Sequence, residues 1–245
     1  MKKTSFIYPI VLILVVSGSW QCHSDKNDQK TEPKKSDWVW LFHGTSTDSW
    51  QDKTSGMFPD QGWKVRDNEL TVLAATDSTP SGHDIISREK YSNFELELEI
   101  RLTEGANSGI KYFVSDQYPD SKGKYLGLEY QLIDDERHAD AKLGHEGNRT
   151  MASLYDLIPA SKSKKVNSPG AWNKVRIVVD GAKVEHWLNG QKVLAFDRFS
   201  DSYRQLVALS KYKDYKDFGE LNQGHILLQG HKDEVSFRSI RIRTW

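Results

Sequence analysis

Two polar side chains spaced two residues apart form the strongest candidate for a functional pair. Glu129 and Gln131 lie in the run 125–133, where apolar residues occupy the alternate positions. Because side chains alternate between the two faces of a strand, this spacing places the carboxylate beside the amide on one face. Such a pair can hold adjacent hydroxyl groups of a sugar, or the carboxylate can transfer a proton. A solvated sheet face is the alternative, and the pattern leaves both readings open.

Four further polar residues are candidates for ligand binding by the same rule. Gln229 and His231 are two apart at the end of the predicted strand 225–230, where a polar pair can line a groove. Lys111 follows a turn and points away from its apolar neighbours, and Arg238 points away from the apolar side of its own strand. For each of the four, an exposed polar group on the surface is the alternative.

The segment 134–170 is too long for an ordinary connection, which predicts either a functional loop or disorder. It opens with the acidic run 134–140, which contains His138 and could bind a hard cation through its carboxylates. The spacing matches no calcium loop, so we favour a solvated run of charge, and a divalent cation stays open as a cofactor. Lys142 and His145 could close over a groove as a lid.

Two common hydrolase mechanisms find no support in the sequence. Residues 105–109 read Gly-Ala-Asn-Ser-Gly, so the serine stands one place too late for a nucleophile elbow. The zinc-protease pattern His-Glu-x-x-His does not occur. Serine-dependent acyl transfer and zinc proteolysis are therefore poor interpretations.

The elements that must carry these residues are strands. The run 94–102 alternates apolar and charged residues over nine positions, which predicts a strand with one solvated face of glutamates. Asp180-Gly181 and Asn189-Gly190 are pairs typical of type I′ turns and divide 172–193 into an antiparallel meander. Asp67-Asn68 predicts another hairpin.

These elements predict an all-β fold, a lectin-like β-sandwich in one domain. About a dozen strands occur with no βαβ alternation, and the run 202–212 is the one plausible helix. The chain has eight tryptophans, and we interpret most of them as core residues. Lysine and arginine balance aspartate and glutamate at 34 each, so no basic stripe predicts nucleic-acid binding.

The N-terminus predicts export to the cell envelope. Residues 1–21 read as a signal peptide, with a basic start and an apolar run too short to span a bilayer. Cys22 is the single cysteine of the chain and follows directly, which predicts a lipid anchor in the membrane. Residues 22–36 read as a disordered tether and 37–245 as the folded domain. Cleavage after Ser19 and secretion are the alternative, because Gln21 replaces the small residue usual before a lipidated cysteine.

A set of short motifs resembles the 3-keto-disaccharide hydrolase family across Trp38 to Trp245. The matching motifs, in chain order, are Trp38-Val39-Trp40-Leu41-Phe42-His43-Gly44-Thr45 with Trp50, Trp63-x-Val65 with Leu70, Phe94-Glu95-Leu96, Asn107-Ser108-Gly109-Ile110, Glu129-Tyr130-Gln131-Leu132-Ile133-Asp134, Trp172-Asn173, Leu188-Asn189-Gly190, Gly224-x-Ile226-x-Leu228-Gln229-Gly230-His231 and Val235-x-Phe237-Arg238-x-Ile240. The departures are conservative: His43 replaces an asparagine, Ser239 stands where asparagine often follows the arginine, and Asp67-Asn68 replaces Asp-Gly.

The resemblance implies a concanavalin-like jelly roll that acts on glycosides or oligosaccharides oxidised at C3. A ketone at C3 acidifies the C2 proton, so a base can remove it, the C1 aglycone can leave, and water can add. Glu129 or His231 would be the base, and Lys111 or Arg238 would steady the enolate. Ordinary glycoside hydrolysis by two carboxylates is one alternative. A glycan-binding protein without catalytic activity is the other.

Overall fold

The structure is a computed structural model that describes Met1 and residues 34–76, 81–118 and 124–245. The predicted signal peptide and Cys22 lie outside these residues, and Lys34–Trp245 forms one compact unit. The strands and the α-helix of the described residues are β1 (Val39–Phe42), β2 (Trp50–Asp52), β3 (Trp63–Arg66), β4 (Glu69–Val72), β5 (Ile85–Tyr91), β6 (Phe94–Leu102), β7 (Asn107–Ser115), β8 (Leu126–Ile133), β9 (Asn173–Asp180), β10 (Lys183–Leu188), β11 (Gln191–Asp197), α1 (Asp201–Leu209), β12 (Gly224–Leu228) and β13 (Val235–Thr244).

The strands form two antiparallel sheets, as a jelly-roll sandwich requires. The larger sheet has eight strands in the order β11-β10-β9-β6-β13-β4-β3, and β1 pairs with the C-terminal half of β13. The smaller sheet has five strands in the order β2-β5-β12-β7-β8. The predicted all-β sandwich is confirmed. The smaller sheet matters most for function, because β7, β8 and β12 lie side by side in it.

One of the two predicted type I′ turns has the expected backbone, and so does the hairpin predicted at Asp67-Asn68. Asp67 and Asn68 both have positive φ angles between β3 and β4, and so do Asn189 and Gly190 between β10 and β11. The third prediction is wrong by one residue. Asp180 pairs with Lys183, so the loop is Gly181-Ala182, and only its glycine has a positive φ. Glycine at the first central position fits a type II′ turn instead.

The core lies between the two sheets and holds the apolar residues that period-two alternation predicted. All five apolar residues of β6 are buried, namely Phe94, Leu96, Leu98, Ile100 and Leu102. The opposite face of β6 is less solvated than predicted. Glu95 is buried there, because Arg243, Lys35 and Arg176 form ion pairs with its carboxylate. Paired charges of this kind tolerate burial that a lone carboxylate would not.

The tryptophans do not lie mainly in the core, so that interpretation is wrong. Of the seven tryptophans in the described residues, only Trp50 and Trp63 are buried. The others lie on the outside of the larger sheet or at its edge, where arginines stack on them. The guanidinium of Arg176 is 4.2 Å from the ring of Trp187, and the same geometry recurs along β13. The rings pack against the charged heads and the aliphatic stems of these side chains, so they have partners outside the core.

The single α-helix among the described residues is shorter than predicted. It covers Asp201–Leu209, because the hydroxyl of Ser200 accepts from the Tyr203 amide at its start and Ser210 is extended at its end. Tyr203 is its one buried residue. Within residues 34–76, 81–118 and 124–245, no helix has the length and hydropathy needed to cross a membrane.

Candidate active site

A pocket of about 430 Å³ opens on the outer face of the smaller sheet. Five of the six residues predicted to bind or transform a ligand line it: Lys111, Glu129, Gln131, Gln229 and His231. Lys111 comes from β7, the Glu129–Gln131 pair from β8, and Gln229 directly follows β12. The antiparallel neighbours β12, β7 and β8 therefore bring together residues that lie up to 120 positions apart in the chain.

Arg238 is the predicted residue that the structure places elsewhere. It belongs to β13 of the larger sheet, where its Nε donates a hydrogen bond of 2.7 Å to Glu99 and its guanidinium stacks on Trp172. Period-two alternation correctly predicted that Arg238 points outward from its strand. It could not predict which of the two sheets contains that strand. Arg238 therefore takes no part in the pocket.

At the centre of the pocket, the carboxylate of Glu129 lies over the backbone of Gly109, which has no side chain. Glu129 pairs with Lys111 in the sheet, and its Oε2 lies 3.9 Å from the Lys111 amino nitrogen. A Cβ on the neighbouring Gly109 would lie only 2.3 Å from Oε1 of Glu129, so only glycine leaves the carboxylate this position. The glutamate is 6% exposed. Its carboxylate is thereby fixed at the pocket floor beside a cation.

Gln131 offers the pocket wall an unused hydrogen-bond acceptor. Its Nε2 donates a hydrogen bond of 3.0 Å to Oδ1 of Asn107, which fixes the orientation of the amide. Its Oε1 is buried and has no hydrogen-bond partner among the described residues. A buried acceptor without a partner costs roughly 1–3 kcal/mol, so a hydroxyl group donated by a ligand would be favourable here.

The long segment after β8 is ordered and covers the open edge of the smaller sheet. Ser153 and Tyr155 exchange backbone hydrogen bonds with β8, since the Gln131 amide donates to the Ser153 carbonyl and the Tyr155 amide donates to the Glu129 carbonyl. This arrangement pairs an edge that would otherwise be exposed. It also carries Tyr155, His138 and Asp140 to the pocket.

The acidic run at the start of this segment is less solvated than predicted, because its three aspartates accept hydrogen bonds, whereas Glu136 is exposed. Asp134 is buried and accepts from the backbone amides of residues 105, 136 and 137. The imidazole Nδ1 of His138 accepts from the amide of Asp140 at the start of a short 3₁₀ turn, Ala139–Lys142. This contact leaves Nε2 of His138 as the protonated nitrogen of the neutral ring.

A charged network fixes Tyr155 in the pocket. Its hydroxyl donates a hydrogen bond of 2.8 Å to Asp140, and Arg149 joins Asp140 to Asp156 through two further hydrogen bonds. Burial raises the pKa of Tyr155 well above its usual value, and the bond to Asp140 adds to that effect. The hydroxyl therefore stays protonated at neutral pH, and the tyrosine acts as a fixed wall of the pocket.

Sequence reasoning missed Lys211 and Tyr212, which enter the pocket from the segment after α1. The amino nitrogen of Lys211 lies 4.0 Å from the centre of the Tyr155 ring and 5.0 Å from that of Tyr212. No local spacing marks either residue, because they line the same pocket as β8 residues about 80 positions earlier in the chain. Tyr155 was missed because it reaches the pocket through the pairing of its segment with β8.

Comparison with known proteins identifies the family of this chain. The sequence pattern of the 3-keto-alpha-glucoside-1,2-lyase-like domain matches residues 37–243. The chain belongs to this family. A 3-keto-disaccharide hydrolase from Bacteroides thetaiotaomicron is 31% identical over 252 residues, which span 94% of this chain and 86% of that protein. The protein is thus an enzyme of the hydrolase or lyase class, in agreement with the motif resemblance.

Solved structures place the 3-keto-alpha-glucoside-1,2-lyase-like fold among glycan-related sandwiches. Two putative glycosyl hydrolases from Parabacteroides distasonis superpose with TM-scores of 0.72 and 0.64. They are 27% and 26% identical, and the alignments cover 85% and 86% of this chain and 94% and 100% of theirs. A Bacillus subtilis protein with a galectin-like fold has a TM-score of 0.52 at 13% identity, which supports the fold alone.

No metal site emerges from the part of this family member that the structure describes. Within residues 34–76, 81–118 and 124–245, no group of three or more histidine, cysteine, aspartate or glutamate side chains is placed to hold a metal ion. The Asp140 carboxylate is engaged by Arg149 and Tyr155. A role for a divalent cation in the reaction stays a prediction.

Proposed function

We propose that the protein cleaves glycosides or disaccharides whose C3 carries a ketone. The reaction begins with removal of the C2 proton, continues with departure of the C1 aglycone, and ends with addition of water. The observation that carries the proposal is the Glu129 carboxylate on the pocket floor, 3.9 Å from the Lys111 amino nitrogen, with Lys211 lining the same pocket. A base beside cations is what proton abstraction next to a carbonyl requires.

Each side chain of the pocket has a role in this scheme. Glu129 takes the C2 proton, and a nearby amino group draws the electrons of that bond toward the C3 oxygen. The electrons then form a C1–C2 double bond as the bond from C1 to the aglycone oxygen breaks. His231 at the exposed rim can give a proton to the departing oxygen. Gln131 and Gln229 bind hydroxyl groups of the sugar.

Direct hydrolysis by two carboxylates is the less favourable scheme. It requires one acid and one base or nucleophile on opposite sides of the scissile bond. Asp140 is the only other carboxylate that lines the pocket among the described residues. Its two oxygens accept from Arg149 and Tyr155, respectively, so it is not free to attack a sugar or activate water.

We also propose that the enzyme works in the cell envelope. The support is the N-terminal sequence: a basic and apolar leader, then Cys22, then a polar tether before the folded unit. A lipid on Cys22 would hold the enzyme at a membrane surface. Release as a secreted enzyme is the alternative that the same residues allow.

The test of the proposed activity is incubation of the purified enzyme with a 3-keto-disaccharide and with the same disaccharide that lacks the ketone. Release of a monosaccharide from the keto sugar alone supports the proposal. Equal release from both sugars would support direct hydrolysis instead. Binding without release from either would support the glycan-binding alternative. A parallel reaction with a chelator decides whether a divalent cation takes part.

A further inference from the structure

Lys211 occupies a setting that differs from that of Lys111 on the pocket floor. The amino nitrogen of Lys111 lies 3.9 Å from the Glu129 carboxylate. The Lys211 amino nitrogen lies instead against the rings of Tyr155 and Tyr212, and no described carboxylate lies within 4.0 Å of it. Two of the three lysines that line the pocket thus have different partners.

The pKa of Lys211 depends on the loss of solvent around its amino group and on the charges near it. Loss of water around the amino group lowers the pKa of Lys211, against the opposing effect of the Glu129 charge. The positive charge of Lys111 lowers that pKa further. A lysine that is desolvated and lies near a second cation has a larger fraction of neutral, nucleophilic amine at neutral pH.

A hydrogen-bonded clamp holds the backbone of Lys211, whose side chain is exposed at the pocket. The Asp156 carboxylate accepts a hydrogen bond of 3.1 Å from the Lys211 backbone amide and is itself held by Arg149. Arg149 also donates a hydrogen bond to Asp140, which accepts another from the Tyr155 hydroxyl. The segment after α1 is thereby joined to the segment after β8. This fixed placement is what a covalent catalyst needs.

We propose that Lys211 is the electrophilic catalyst and forms an iminium with the C3 ketone of the substrate. This inference rests on the proposed function, since only a keto sugar offers the required carbonyl. Lys111 then serves as the charge partner of the base Glu129. The iminium attracts electrons more strongly than the ketone does, so it activates the C2 proton for removal.

The steps balance with water as the sole co-reactant. The neutral Lys211 amine adds to C3, and loss of one water with uptake of one proton, which the last step returns to solvent, gives the protonated C3=N bond. Glu129 removes the C2 proton and an enamine forms. The C1–O bond then breaks as the C1–C2 double bond and the iminium form, and the aglycone leaves with a proton. One water adds to C1 and C2 regains a proton. A second water hydrolyses the iminium, which releases a 3-keto sugar and the free amine.

The test traps the iminium in the Glu129→Gln variant, in which the next step is blocked. The variant is incubated with a 3-keto-disaccharide and sodium cyanoborohydride, which reduces iminium ions in preference to ketones. Mass spectrometry of peptides should then find the intact disaccharide, less one oxygen, on Lys211. The same treatment of Glu129→Gln/Lys211→Arg should leave that position unlabelled, and Glu129→Gln/Lys111→Arg should still be labelled at Lys211.

Turnover by single variants gives a second readout. Lys211→Arg keeps the positive charge but cannot form an iminium, so kcat should fall by roughly 10²-fold or more. Retention of activity in Lys211→Arg, or absence of any adduct while the wild type still releases sugar, would overturn the iminium and leave the proposed function standing. Absence of sugar release by the wild type would overturn both.

Discussion

The carboxylate of Glu129 lies directly over Gly109, one strand away, in space that any other residue would fill. A Cβ on Gly109 would stand 2.3 Å from Oε1 and 3.0 Å from Cδ of the glutamate. This contact explains why glycine follows Asn107-Ser108 on the strand beside the base. It also gives a way to displace the base without changing its chemistry.

Gly109→Ala should therefore reduce activity much more than stability. The methyl group would push Glu129 aside, and a displacement of about 1 Å can cost roughly 10²-fold in turnover. Gly224→Ala is the control, because its Cβ would meet the backbone of Phe113 at 2.3 Å, where no side chain can yield. We expect it to lower the melting temperature instead. Thermal melts and kcat for both variants measure the contrast, and a large stability loss in Gly109→Ala would contradict it.

Leu128→Ala should destabilise the fold, whereas Glu129→Ala should not. Leu128 is fully buried between the sheets, and a large-to-small change in a core costs about 2–5 kcal/mol. Glu129 faces the pocket, so its removal leaves no cavity in that core. Urea unfolding of both variants measures the difference. The reverse order would mean that the pocket face and the core face of β8 are exchanged.

Period-two alternation predicted which face of each strand is buried, and it placed Lys111, Glu129 and Gln131 correctly on the outer side of their strands. Gln229 and His231 line the same pocket from just past the end of β12. The alternation could not assign a strand to a sheet, so Arg238 was grouped with residues that lie on the other sheet. It also could not predict that Tyr155 and Lys211 line the pocket. Their places depend on hydrogen bonds of a long segment with β8 and on the Arg149 clamp, which no local pattern encodes.

The buried His186 should make the fold sensitive to acid. Burial lowers the pKa of His186 to about 4, and its ring nitrogens contact the Tyr112 hydroxyl and the Ala152 carbonyl. Between about pH 6.5 and about pH 4, the unfolded chain binds a proton at this residue that the folded chain does not. The free energy of unfolding should therefore fall as pH drops through that window, by up to about 3 kcal/mol.

Urea unfolding at about pH 7 and about pH 4.5 measures this loss. His186→Gln should lose the part of the pH dependence that belongs to the histidine. His231→Gln should keep it, because His231 is exposed at the pocket rim. An identical pH dependence in the wild type and His186→Gln would contradict a neutral buried His186.

Cys22→Ser tests the envelope anchor. A thioether-linked lipid requires the cysteine sulfur, so the variant should move from the membrane fraction to the soluble fraction of the cell. Detergent-free fractionation followed by immunoblotting measures the partition. Unchanged membrane association of the variant would remove the lipid anchor from the account and favour cleavage after Ser19.

Glu129 is the base on which the proposed reaction of 3-keto-glycosides depends. Glu129→Gln keeps the size and hydrogen-bonding capacity of the side chain but cannot take a proton. We predict that kcat on a 3-keto-disaccharide falls by about 10²-fold or more while the sugar still binds. His231→Ala in the same assay tests the other candidate base and should retain more activity. A change in KM alone would reduce Glu129 to a binding residue. Wild-type kcat in Glu129→Gln would show that Glu129 is not the base.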